Sequence, residues 1–181
     1  GFGIPSGNVL PVMEAMRTGG VEFVLTAHEG SAAFAADVMG RMTDRPGVCI
    51  ATLGPGATNL TTGVGSAWLD RSPMIAITCN LNTNQLGRRI QMYIDHHALF
   101  APITKASFAL RHDNVAGPLA DAIRIAMTEP MGPVHLDLPE DVALAPATEA
   151  VPDFDTPEPV FPAPRDMIKR AADMIASAKR P

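Results

Sequence analysis

The chain has 181 residues, enough for one domain with a substantial hydrophobic core. Its formal net charge is −5 and it has no run of Lys or Arg, which excludes a nucleic-acid surface built on clustered positive charge. No apolar stretch reaches the length of a bilayer span and no secretory leader is visible, so the expectation is a cytoplasmic chain with neither a membrane nor a nucleic-acid partner.

In chain order, residues 7–17 predict a helix whose apolar face is Val9, Leu10, Val12, Met13 and Met16. Residues 22–27 predict a strand, 30–42 an Ala-rich helix and 47–53 a second strand. Then come a helix over 57–70, a strand over 73–79 and a long polar connection over 80–99. A short strand over 107–111, a helix over 114–128 and a last strand over 133–138 complete the series. The strand segments are apolar on both faces, as in a parallel sheet covered by helices. Alternation of strand and helix predicts an α/β fold: a doubly wound, mainly parallel sheet with helices on both faces.

Composition changes over residues 146–164, where six prolines mix with Glu149, Asp153, Asp155 and Glu158. Proline fixes φ, so this reads as a semi-rigid linker. Residues 165–179 predict an amphipathic helix carrying Met167, Ile168, Ala171, Ala172, Met174 and Ile175. Such a helix either folds back as a cap or opens a second domain, and the preceding linker favours the second. The expected organisation is a domain over 1–145, a linker over 146–164 and the start of another domain over 165–181.

Cys49 and Cys79 fall in separate expected strands, with no Cys-x-x-Cys spacing. Zinc binding and dithiol redox chemistry therefore have no support, and no metal-ligating set is expected. Both thiols are expected to be buried apolar groups in a reducing compartment.

Glu29 is the most informative residue. It ends the strand of 22–27 and opens the Ala-rich helix, so its carboxylate is aimed at the end of a sheet, where open α/β folds bind ligands. Two readings stand for it: a first-turn acid complementing the helix dipole, or a catalytic carboxylate partly desolvated by Ala27, Ala32 and Phe34. Twenty-five residues on lies Gly54-Pro55-Gly56-Ala57-Thr58-Asn59. Its glycines suit a phosphate turn, but no Lys follows where a nucleotide loop needs one.

The ordered motifs Phe2-Gly3-Ile4-Pro5-Ser6-Gly7-Asn8, His28-Glu29, Ala51-Thr52-Leu53-Gly54-Pro55-Gly56, Ala67-Trp68-Leu69-Asp70-Arg71-Ser72-Pro73 and Gly132-Pro133-Val134-His135-Leu136-Asp137-Leu138-Pro139 run along most of the chain. Together they resemble the pyrimidine-binding domain of thiamine-diphosphate enzymes, in particular the acetolactate synthase and 2-oxo-acid decarboxylase group. The resemblance implies a lyase or transferase acting on a 2-oxo acid, working as a homo-oligomer, dimer or tetramer. It implies Glu29 as the acid that activates the cofactor's aminopyrimidine, with Pro5, Thr52, Pro55, Gly56 and Asn59 as cofactor contacts. It also implies Mg²⁺, held by a diphosphate-binding domain whose Gly-Asp-Gly…Asn motif does not occur in these residues. FAD is conceivable by analogy with the synthases and has no motif behind it here. The chain opens on Gly1 inside the family's first strand and reaches the beginning of its middle domain, so a fragment of a longer enzyme, inactive alone, is expected.

One segment departs from the synthase pattern Phe-Gln-Glu-x-Asp. Aligned on Asp95, Met92 stands where that pattern has glutamine, which leaves carboligation and decarboxylation both open. Adjacent histidines in a comparable loop assist proton transfer in the pyruvate decarboxylase branch, so His96 and His97 are acid–base candidates, weighed against two merely exposed loop residues. Two rival readings are the small subunit of a two-chain decarboxylase and a non-catalytic binding module that keeps the fold.

Overall fold

The computed structural model describes residues 1–43, 45–146, 148–150, 152 and 162–180. The expected linker over 146–164 lies largely outside the described residues.

The elements are β1 (Phe2–Gly3), α1 (Leu10–Thr18), β2 (Val24–Leu25), α2 (Glu29–Met42), β3 (Gly47–Ala51), α3 (Pro55–Asp70) and β4 (Met74–Asn80), then α4 (His96–Phe100), β5 (Ala106–Ala109), α5 (Ala116–Met127), β6 (Pro133–Pro139), α6 (Glu140–Leu144) and α7 (Arg165–Ser177). Among the described residues six strands form one all-parallel sheet in the order β2-β1-β3-β4-β6-β5. This is the doubly wound α/β architecture that the strand–helix alternation predicts.

Side-chain period sorts the core into two layers. On one face Cys49, Ala51, Met74 and Ala76 pack with Ala32, Ala33 and Ala36 of α2, Leu60 and Val64 of α3, and Phe100. On the other, Ile50, Ile75, Val134, Leu136 and Leu138 pack with Val9, Ala122, Ala126 and Val142, beside α1, α5 and α6. The interior strand β6, between β4 and β5, is buried along its whole length, as a strand covered on both faces must be.

Small residues set the distance between α2 and α3. A Cβ on Gly63 would overlap the Cβ of Ala33, so glycine at that position lets the two helices touch. The Ala-rich stretch that follows Glu29 thus fixes where the N-terminus of α2 sits relative to that of α3.

Several boundaries differ from the sequence expectation. The strand expected over 22–27 shrinks to two residues, because it pairs with β1, itself two residues long, and Val24 and Leu25 are exposed at the sheet edge. Residues 7–9 form a turn ahead of α1. The polar connection is not structureless: β4 extends to Asn80, a 3-10 turn covers Thr83–Gln85, and His96 and His97 begin α4, capped by Asp95 Oδ1 accepting from Ala98 N at 3.0 Å. In α7 the side chains of Met167, Ile168, Met174 and Ile175 are exposed.

Candidate active site

The sheet order reverses at β1: the chain steps from β1 to β2 on one side and then to β3 on the other. Ligands of open α/β sheets bind in the crevice at the carboxyl ends of the strands flanking such a switch. Here the segments leaving β1, β2 and β3 carry Asn8, Glu29 and the turn Gly54-Pro55-Gly56.

Glu29 is the first residue of α2 and 9% exposed. Asn59 on α3 donates from Nδ2 to its Oε2 at 2.9 Å. A Cβ on Gly56 would stand 3.5 Å from Oε1 and 2.7 Å from Thr52 Cγ2, so only glycine leaves the space beside the carboxylate open. His28 caps α2 by accepting from Gly30 N at Nδ1, 3.0 Å.

Asn8 links the strand ends, and sequence reasoning missed it as a site residue. Its Oδ1 accepts from Thr52 Oγ1 at 2.7 Å and Ser6 Oγ at 2.8 Å, while its Nδ2 donates to the Cys79 carbonyl at 3.1 Å. One side chain thereby ties the segments after β1 and β3 to the end of β4. Gly54 caps α3 with φ of +61°, and a Cβ there would overlap the Met92 carbonyl oxygen. Met92 itself has φ of +67°, so the polar connection folds directly over this turn.

His96 and His97 diverge. His96 is 1% exposed and points inward, accepting from Gly54 N at Nε2, 3.4 Å. Its Nδ1 lies 2.9 Å from Thr78 Oγ1 and 3.3 Å from both Asp137 Oδ1 and Asn80 Nδ2. Thr78 Oγ1 continues to His135 Nε2 at 2.8 Å, and His135 Nδ1 to Ser107 Oγ at 2.7 Å. Ser107 then meets Nδ1 of the half-buried His97 at 2.6 Å. The Nε2 of His97 stands 3.7 Å from Asp137 Oδ2.

Burial pushes the His135 imidazole down to about 3; it lies stacked on Phe100 with ring centroids 4.4 Å apart. Burial pushes the Asp137 carboxyl up, but hydrogen bonds from His96 and Asn80, with the charge of nearby imidazoles, outweigh it and hold the group below the usual carboxylate range.

Of the residues expected from the sequence, the structure brings Glu29, Asn59, Gly56 and Thr52 together. Pro55 is the exposed first residue of α3, and Pro5 is exposed in the segment after β1. His96 reaches the same turn from behind, while His97 lies at the far end of the buried polar line. Thr78, Asn80, Ser107, His135 and Asp137 were not expected. A signal existed: Thr78 and Asn80, like His135 and Asp137, sit two apart in otherwise apolar strands, and register places Thr78 opposite Asp137 and Ser107 opposite His135.

Residues 1–99, which hold Asn8, Glu29 and the Gly54 turn, match the family of thiamine pyrophosphate enzymes, N-terminal TPP binding domain. The chain belongs to this family. Among curated relatives of this thiamine pyrophosphate enzyme domain, a probable acetolactate synthase large subunit of Methanocaldococcus jannaschii is 38% identical, over 99% of this chain and 32% of the relative. The large subunit of acetolactate synthase isozyme 2 from Escherichia coli is 39% identical, over 99% of this chain and 33% of its own length. An acetolactate synthase of Bacillus subtilis is 35% identical, again over 99% of this chain and 32% of its own. The chain thus spans about a third of the length of the relatives it matches. No helix among the described residues is long and apolar enough to cross a membrane.

Proposed function

We propose that this domain holds the aminopyrimidine ring of thiamine diphosphate beside Glu29, as part of a lyase or transferase acting on 2-oxo acids. The observation that carries this reading is the Glu29 carboxylate. It is nine-tenths buried, has one oxygen fixed by Asn59, and its Oε1 has no hydrogen-bond partner among the described residues. Oε1 lies beside the face that Gly56 leaves open, which suits a flat ring with a protonatable nitrogen.

Bound thiamine diphosphate would supply a thiazolium carbon acid able to add to a carbonyl. The chain's part is proton control and orientation. Glu29 holds a shared proton at Oε1, towards the ring nitrogen. Asn59 keeps Oε2 occupied, so that the carboxyl presents one defined oxygen. Thr52, through Asn8, and the turn at Pro55 and Gly56 shape the pocket wall, and the Pro5 segment borders it. His97, with 40% of its side chain exposed, is the candidate of the histidine pair for proton exchange with solvent. Among the described residues no group of three His, Cys, Asp or Glu side chains is placed to hold a metal, so this reading assigns Mg²⁺ and the diphosphate to a different domain of a homo-oligomeric enzyme.

Carboligation of 2-oxo acids is the first reading of the reaction, in line with relatives that are named acetolactate synthases. Decarboxylation is the second, favoured by Met92. It stands against Gly54 where the synthase pattern has glutamine. The test is Glu29→Gln in the full-length protein, assayed with thiamine diphosphate, Mg²⁺ and a panel of 2-oxo acids. At least a hundredfold loss of turnover is expected, the order a general acid–base group supplies. Unchanged turnover would overturn the role given to Glu29. The wild-type product, a coupled hydroxy-oxo acid or an aldehyde, separates the two reactions.

A further inference from the structure

The line of side chains from His97 to Gly54 has a direction, and fixed groups set it. A backbone N–H can only donate, so Gly54 requires His96 Nε2 to be a bare acceptor. An ionised carboxylate can only accept, so Asp137 Oδ1, 3.3 Å from His96 Nδ1, requires a proton on that nitrogen. Both demands select the same tautomer. Asn80 does not oppose it: its Oδ1 accepts from Leu81 N at 2.8 Å, which turns its amide nitrogen to the two Asp137 oxygens at 2.9 and 3.1 Å.

The rest follows outward. His96 Nδ1–H donates to Thr78 Oγ1, whose own proton must then go to His135 Nε2. His135 consequently carries its proton on Nδ1 and donates to Ser107 Oγ, which donates on to His97 Nδ1. His97 is left with its proton on Nε2, on the side of Asp137 Oδ2. Three imidazoles and two hydroxyls have one mutually consistent arrangement, ending on the amide that caps α3.

We propose that His96 is a positioning residue: the line through Thr78, His135, Ser107 and His97 holds it as the Nδ1–H tautomer, leaving Nε2 to accept the Gly54 N–H and fix the Gly54-Pro55-Gly56 turn opposite Glu29. The opposite tautomer would set an N–H against an N–H at the contact that, among the described residues, joins the line to the turn. That repulsion would release Gly54 and, through it, Gly56, whose face borders Glu29 Oε1. The burial that keeps the His135 proton count at one reinforces the arrangement.

The inference rests on the Glu29 pocket being the cofactor site, so its test has a readout that needs no cofactor. In the full-length protein with ¹⁵N-labelled histidine, ring ¹⁵N shifts at mildly alkaline pH report each tautomer. His96 and His135 are expected protonated at Nδ1 and His97 at Nε2; a proton on Nε2 of His96 overturns the proposal whatever Glu29 does. Thr78→Val keeps the volume and leaves Asp137 to hold the His96 proton, but removes the hydroxyl that places the ring. Thiamine diphosphate is then expected to bind about tenfold more weakly, one hydrogen bond's worth, with Thr78→Ser restoring affinity to within about twofold. Wild-type affinity in Thr78→Val would overturn the positioning role even with the tautomers as expected.

Discussion

Asn59 Nδ2 donates to Glu29 Oε2 across 2.9 Å and so joins the N-terminal end of α3 to the first residue of α2. Two helices that begin after different strands share one carboxylate, and that bond fixes where the carboxylate lies. Asn59→Ala leaves a largely buried carboxylate oxygen without its donor. A loss of about 1–3 kcal/mol in unfolding free energy is expected by denaturant titration, together with weaker thiamine diphosphate binding. Asn59→Asp should lose more, because two carboxylates would then face each other. Equal stability of the wild type and both variants would contradict the bond.

Gly63 controls the same relationship from a distance. A Cβ there would overlap the Cβ of Ala33 and lie 2.9 Å from the backbone of Ala33 and Phe34. Gly63→Ala must push α3 from α2 and with it Asn59 from Glu29. Ala is otherwise the better helix former by about 1 kcal/mol, so the sign of the effect is diagnostic. Overpacking is expected to win, with a net destabilisation of about 1–3 kcal/mol read as a lowered thermal midpoint. A raised midpoint would mean that the helices part without cost.

The sequence made the architecture legible because the interior strands β3, β4 and β6 are apolar on both faces apart from Thr78, Asn80, His135 and Asp137, and a doubly covered parallel sheet buries such strands. Glu29 was legible from its place between a strand and a small-residue helix, and Gly54 and Gly56 from their spacing. Asn8 was not legible: its importance lies in three partners drawn from the ends of three strands, a property of the switch point rather than of any local pattern. His96 and His97 were read as loop residues, since the polar stretch before them hides the short helix that turns His96 inward. The polar line had its trace in the alternation of Thr78 with Asn80 and of His135 with Asp137. Strand register was needed to bring those pairs together. The two-residue length of β2 was hidden because its ladder partner β1 offers only Phe2 and Gly3, which the composition of residues 22–27 does not show.

Stability should depend on pH through His135. Burial, helped by the neighbouring His96 and His97 and opposed by Asp137, holds its imidazole down at about 3, against 6.5 for the free side chain. Between those values the unfolded chain binds a proton that the native protein does not, so stability rises with pH there. The contribution of neutral His135 is complete above about pH 6.5 and is lost progressively as pH falls, with a slope of about 1.4 kcal/mol per pH unit for one fully linked proton. Asp137, held below its ordinary range, adds its own loss only at lower pH, as the medium falls from 3.8 through its native value. Denaturant titrations of the full-length protein at several pH values between about 4 and 6.5 test this. His135→Asn should lower stability most near pH 6.5, with a deficit that shrinks as pH falls, which flattens the slope. An unchanged slope in the variant would assign the dependence to other groups.

Both cysteines should be inert in the native protein. Cys49 is fully buried beside Met74, its Sγ 3.8 Å from the thioether sulfur, and burial pushes its thiol up to about 12. Cys79, at the end of β4, is pushed up to about 12 by burial and then by the charges of Asp137 and Glu140. The thiolate is the reactive form, and a thiol of that acidity is ionised to about one part in ten thousand at pH 8. An aromatic disulfide reagent should therefore leave both untouched on the timescale of minutes and modify both at once in denaturant. The two are expected to react together on unfolding because they sit on opposite faces of one sheet, Cys49 with the α2 and α3 layer and Cys79 with the α1 and α5 layer. Reaction of Cys79 alone in the native state would mean that the end of β4 opens locally. Asn8 holds that end through the Cys79 carbonyl, so Asn8→Ala is the variant in which selective Cys79 labelling should emerge.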